Sequence, residues 1–248
     1  MIHGLSHFQN QFTKFSDYFV LVGGVATYLQ LEDAGAPRVR ATKDLDIVLM
    51  LKPSNDFLDE LKKYILEGGY EIQKNDKGSP SFYRFQKPKN EEFPLIIELF
   101  ATAPNEFKLF DDQHIVPITN PEEVESLSAI LLDDEYFSLI TSHLVASGGI
   151  NLINEGALIP FKAKAYLEIK AREEDSRHWK KHRGDIINLA VTFFTENSNV
   201  KLSGKVKAHF EEFMIQLKAE INDEVVKGAC SQKIDSNTVI FLLEKTFL

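Results

Sequence analysis

The chain has 248 residues, 44% of them hydrophobic and 26% charged, enough to bury a core in one large domain or two lobes. Its net charge is −9, so the surface as a whole repels nucleic acid, and a polyanionic ligand has to be met by a local basic patch or by metal ions. The lone Cys230 excludes an internal disulfide and a cysteine-based zinc cluster; no apolar run approaches the ~20 residues of a membrane helix, and the opening MIHGLSHFQNQF lacks the pattern of a signal peptide. The expectation is a cytoplasmic protein with no membrane partner.

In chain order, YFVLVG (18–23) is a short apolar strand candidate, and the segment after Gly24 has helical period through about Leu31. DLDIVLML (44–51) is rich in β-branched and apolar residues and stops at Lys52-Pro53. Ser54 can cap a helix over SNDFLDELKKYILEGG that Gly68-Gly69 ends. SFYRFQ (81–86) and FPLIIELFA (93–101) read as strands separated by KPKNEE. HIVPI (114–118), SAILL (128–132) and YFSLI (136–140) read as further strands. From about Asn151 the pattern turns helical: ALIPFKAKAYLEIKAREE with Pro160 in its first turn, then RHWKKHRGDIINLAVTFF, GKVKAHFEEFMIQLKAEI and NTVIFLLEKTFL. The predicted class is α+β, a lobe with a mixed sheet flanked by helices over 1–150 and an all-helical lobe over 151–248. No flexible linker separates them, so the two are expected to pack around a cleft.

Three features carry chemistry. Strand alternation puts Asp44 and Asp46 on one face with Leu45 on the other. Two neighbouring carboxylates repel unless a cation sits between them, and Mg²⁺ suits hard oxygen ligands; the bland alternative is a charged strand edge. Gly23 and Gly24, between a strand and a helix, allow close backbone approach to an anion. Glu98, flanked by apolar residues in LIIELF, is costly to bury without a partner and is the candidate third carboxylate. Between 162 and 183 lie Lys162, Lys164, Lys170, Arg172, Arg177, Lys180, Lys181 and Arg183, a basic stretch whose plain reading is a solvated helix pair. His178 and His182 have a spacing that can bind zinc, but with no third ligand they read as surface residues.

The Gly-Gly turn followed by RATKDLDIVL resembles the nucleotidyltransferase superfamily that includes DNA polymerase beta. The pattern Arg40-X-Thr42-X-Asp44-Leu-Asp46, with LIPFKAKAYLEI and KKHRGDIINL, resembles the AbiEii-type nucleotidyltransferase toxins of abortive-infection and toxin–antitoxin systems. The resemblance implies an N-terminal nucleotidyltransferase lobe that moves NMP from NTP to an acceptor hydroxyl, with RNA such as a tRNA 3′ end as acceptor and an antitoxin as partner. It implies that Asp44 and Asp46 hold two Mg²⁺ ions, with Glu98 as a further ligand or base. Gly23 and Gly24 would hold the triphosphate, Lys162 or its rival Lys164 would bind phosphate, and Asp185 would be the late acid. Arg40 and Thr42 would contact phosphate or support the aspartates. The chain departs from the pattern in having Gly24 where many relatives have Ser. Gly184, inside a helix beside Asp185, suggests a close approach there. A small hydroxylated acceptor such as an aminoglycoside, or a silent nucleotide-binding protein, are the alternatives.

Overall fold

The computed structural model describes residues 2–37, 39–50, 54–74, 80–101, 134–172 and 175–248. The chain is α+β, and the strands among the described residues form one mixed sheet. In chain order come α1 (Leu5–Phe12) and a 3-10 turn (Thr13–Tyr18), β1 (Phe19–Leu21), α2 (Gly23–Asp33), β2 (Asp44–Leu49), α3 (Asn55–Gly68), β3 (Glu71–Lys74), β4 (Pro80–Gln86) and β5 (Ile96–Ala101). Then follow α4 (Asp134–Ser142), β6 (Leu144–Ser147), β7 (Ile150–Ile153), α5 (Glu155–Ala171), α6 (Ser176–Phe193), α7 (Gly204–Glu220), α8 (Asp223–Ala229) and α9 (Ser236–Phe247). The sheet order is β3-β4-β5-β2-β1-β7-β6, with β2/β5 and β1/β7 parallel and the other pairs antiparallel. No helix among the described residues is long and apolar enough to cross a membrane.

Two compact units share the chain. One holds residues 1–26, 41–124 and 144–153, and the other holds 27–40, 125–143 and 154–248. In the first, strand alternation sorts the sheet into two faces. Phe19, Leu21, Leu45, Ile47, Leu49, Phe85, Ile97 and Leu99 are buried on one, where Phe19 meets Phe8 and Phe12 of α1 and Phe57 of α3. In the second, α5 is buried almost all round, against α6 and α7, with Tyr166 edge-on to Phe213. Such a helix carries no amphipathic stripe and lives wholly in the core.

Local chemistry explains the boundaries. The Ser54 hydroxyl accepts the Phe57 N–H at 3.2 Å, and Gly69, at φ 64°, closes α3 in the left-handed region. YFSLI, expected as a strand, lies in α4. Asp134 and Glu135 favour a helix start, and Tyr136, Leu139 and Ile140 are the buried residues of its single apolar face. The strands expected over 114–118 and 128–132 lie outside the described residues. Pro160 stands in the second turn of α5 rather than its first, because the helix begins earlier, capped by the Asn154 side chain on Gly156 N–H. A hairpin over 144–153, unforeseen from sequence, turns through Gly148 and Gly149, both at positive φ.

Candidate functional site

The sheet's other face carries the acids. Asp44 and Asp46 alternate with the buried Leu45, and parallel pairing of β2 with β5 sets Asp46 opposite Glu98. Antiparallel pairing of β5 with β4 then sets Glu98 opposite Arg84. Residues opposite one another in adjacent strands point the same way, so Asp46, Glu98 and Arg84 form a row across three strands with Asp44 one step along. Asp46 is only 7% exposed. Arg84 donates from Nη1 to Glu98 Oε1 at 2.6 Å. This guanidinium answers the burial cost that made Glu98 conspicuous in the sequence, and Arg84 itself was missed there. Both strands were legible, but which strands pair is decided by the whole sheet, so the sequence could not name Arg84 as the cross-strand partner.

The glycine turn adjoins the row. Val22 N–H donates to the Asp46 carbonyl at 3.0 Å, extending the β1–β2 ladder by one residue, and Gly23 follows at φ 61°, a conformation only glycine adopts without strain. Gly24 has a different cause. A Cβ there would stand 2.9 Å from Thr42 Oγ1 and 3.0 Å from Thr42 Cβ, so a serine at 24 and Thr42 would exclude one another. The Thr42 hydroxyl takes that space and accepts the Asp44 N–H at 3.3 Å, fixing the start of the acid strand. The donor set fits Mg²⁺, which is held by one or two carboxylates and completes its shell with water and phosphate. Among the described residues, no three His, Cys, Asp or Glu side chains are gathered into a ready-made cage.

A second cluster belongs to the helical unit. Lys162 Nζ donates to Asp185 Oδ2 at 2.7 Å, and Arg40 grips the same carboxylate through Nη2 at 2.9 Å and Nε at 3.3 Å. The Lys162 side chain is 5% exposed and that of Arg40 45%. Burial alone would push the Asp185 carboxyl up, but Lys162 and Arg40 outweigh it and hold it well below the usual carboxylate range. Burial lowers the Lys162 ammonium, opposed by Asp185. His182, expected at the surface like the exposed His178, is half-buried, and its Nδ1 is buried without a partner. Desolvation, reinforced by Lys162, keeps its imidazole neutral well below the ordinary histidine range.

Lys164 is not part of this cluster. It meets Glu168 at 3.1 Å and His209 Nε2 at 3.2 Å, as two residues a short step apart on a helix face different ways. Nor is the basic stretch a uniform patch. Lys170 and Arg183 both bind Glu220, Arg177 binds Asp175, and Lys180 lies over the Trp179 ring at 5.3 Å. Among the described residues nothing makes Gly184 a close approach, since a Cβ there would meet only Ala229 Cβ, at 3.9 Å. No family model, curated protein or solved structure matches the chain.

Proposed function

We propose that this protein is a Mg²⁺-dependent nucleotidyltransferase that passes NMP from NTP to an acceptor hydroxyl, with RNA as acceptor and a toxin–antitoxin or abortive-infection role. The observation that carries the reading is the junction of two elements in one unit: a left-handed glycine turn one residue beyond β1, bonded through Val22 to Asp46, and a strand face bearing Asp44, Asp46 and Glu98. Asp44 and Asp46 would hold Mg²⁺, with Glu98 as a further ligand or as acceptor of the hydroxyl proton. Bound Mg²⁺ lowers the pKa of an acceptor hydroxyl and neutralises departing pyrophosphate. Gly23 and Gly24 present helix N-terminal N–H groups to phosphate, while Thr42 holds Asp44 in line.

Within the helical unit, Asp185 fixes Lys162 and Arg40 as a cationic pair for an anionic group, and the more exposed Arg40 meets it first. The pairing of Lys164, Lys170, Arg177 and Arg183 with acids favours a second reading of the acceptor, a small cationic hydroxylated compound such as an aminoglycoside, which an acidic surface attracts. The experiment is incubation with each α-labelled NTP and Mg²⁺, with total RNA in one arm and an aminoglycoside panel in the other. Label passes to RNA with the wild type and not with Asp46→Asn, whose fold is intact by circular dichroism. Near-normal turnover by Asp46→Asn overturns the metal assignment, and label only on the small compound selects the second acceptor.

A further inference from the structure

The Arg84–Glu98 pair is built unlike a finished structural bridge. Arg84 reaches Glu98 through Nη1 alone, and its Nε is buried with no hydrogen-bond partner. A buried orphan donor is costly, whereas a guanidinium satisfies two donors at once on a carboxylate or phosphate fork. The side chains keep 28% and 13% of their exposure, so the pair is reachable. Strand register sets Asp44, Asp46 and Glu98 on the same sheet face as Arg84. A divalent cation settling on this face competes directly with Arg84 for Glu98, since both want the same oxygens.

We infer that Arg84 is a positioning residue of the acid face: it neutralises Glu98 until a divalent cation takes that carboxylate, and the released guanidinium then takes an oxygen of the phosphate-bearing ligand. The inference rests on the nucleotidyltransferase reading for the identity of both ligands. Metal and phosphate thereby favour one another through an exchange of partners, and the coupling is reciprocal because both bind one protein. Glu98 is the brake on Arg84, and Arg84 is the brake on Glu98.

Each brake can be removed separately. Glu98→Gln removes the charge that holds Arg84 and leaves it only a neutral amide oxygen, so inorganic pyrophosphate, titrated calorimetrically in excess chelator, binds about tenfold tighter than to wild type, the scale of one charge-assisted hydrogen bond. The double variant Arg84→Gln/Glu98→Gln loses that gain. In the opposite direction, Arg84→Gln alone raises the affinity for Mn²⁺, followed by the paramagnetic resonance of the free ion, and Arg84→Lys does so less because it keeps the charge. No gain in Glu98→Gln, or a gain that persists in the double variant, overturns the exchange, as does an Mn²⁺ affinity unchanged in Arg84→Gln. Circular dichroism checks each fold, and the Mn²⁺ arm stands alone should Glu98→Gln fail to fold. Failure of the nucleotidyltransferase reading registers elsewhere, as absent label transfer by wild type, while an Arg84-dependent gain in pyrophosphate binding would persist.

Discussion

In the sheet, Arg84 shares a face with Asp44, Asp46 and Glu98, and on the helices Asp185 is held by Lys162 and Arg40. The first gathers carboxylates on one face and suits a cation; the second sets two cations on one carboxylate and suits an anion. They also differ in depth. Arg84 keeps 28% of its side-chain exposure where Lys162 keeps 5%. A shallow pair can exchange partners with a ligand, while a deep one holds its unit together. Mutation should therefore cost stability in the helices and change binding in the sheet.

The largest effect follows from the deep cluster. Asp185→Ala leaves Lys162 buried beside Arg40 with no counter-charge and lowers the stability of the fold by about 3–5 kcal/mol, the cost of breaking a buried pair, read as a urea midpoint. Lys162→Met is milder, roughly 1–2 kcal/mol, because the bidentate Arg40–Asp185 pair survives. Asp46→Asn, by contrast, costs less in metal-free buffer, since the amide keeps the shape and one acceptor oxygen while the neighbouring carboxylates lose a like charge. A loss from Asp46→Asn as large as that from Asp185→Ala would erase the distinction between the two regions.

Acid sharpens the same contrast. His182 is faced by Lys162, Lys181 and Arg40 and, in the opposite sense, by Asp185, and its folded pKa lies well below the unfolded value of 6.5. Below that value the unfolded chain binds a proton that the folded chain refuses, so stability falls with falling pH, by up to about 1.4 kcal/mol per unit. Asp185 acts in another window. Its folded pKa is depressed, so its contribution is intact above the usual carboxylate range and is lost only as pH falls through and below that range. Melting temperatures between about pH 7.5 and pH 5.5 thus isolate the histidine. His182→Gln should flatten the slope across that interval, and an unchanged slope would remove His182 as its source.

Much of this arrangement was legible in the sequence, and the gaps have physical causes. The α3 caps were readable because Ser54 and Gly69 act on their own neighbours. The Asp44–Asp46 face followed from strand period alone. Arg84 was not readable from period, because which strands lie side by side is decided by the whole sheet. YFSLI is a short apolar run that fits either period, and Asp134 and Glu135 before it, which favour a helix start, tip it to a helix. The 144–153 hairpin carried its signal in Gly148-Gly149. His182 was read as a surface residue because half-burial comes from the packing of α5 on α6, to which its own neighbours in sequence give no clue.

The smallest expected effect concerns Gly184, where the sequence suggested a backbone held close to something else. Glycine inside a helix costs up to about 1 kcal/mol against alanine, through the larger entropy it loses on folding. Such a residue is maintained either by a steric need or by something outside the folded chain. Among the described residues a steric need is absent, since the nearest atom to an added Cβ is Ala229 Cβ at an ordinary 3.9 Å. Gly184→Ala should therefore stabilise α6 by about 0.5–1 kcal/mol, seen as a higher urea midpoint at unchanged slope. The substitution adds a methyl beside Asp185 without touching its bonds to Lys162 and Arg40, so the acid window below pH 4 should be unchanged. A loss of stability would mean that the α6–α8 packing is tighter than 3.9 Å implies. A gain in stability accompanied by lost label transfer would identify the Gly184 surface as a place where a ligand approaches the helical unit.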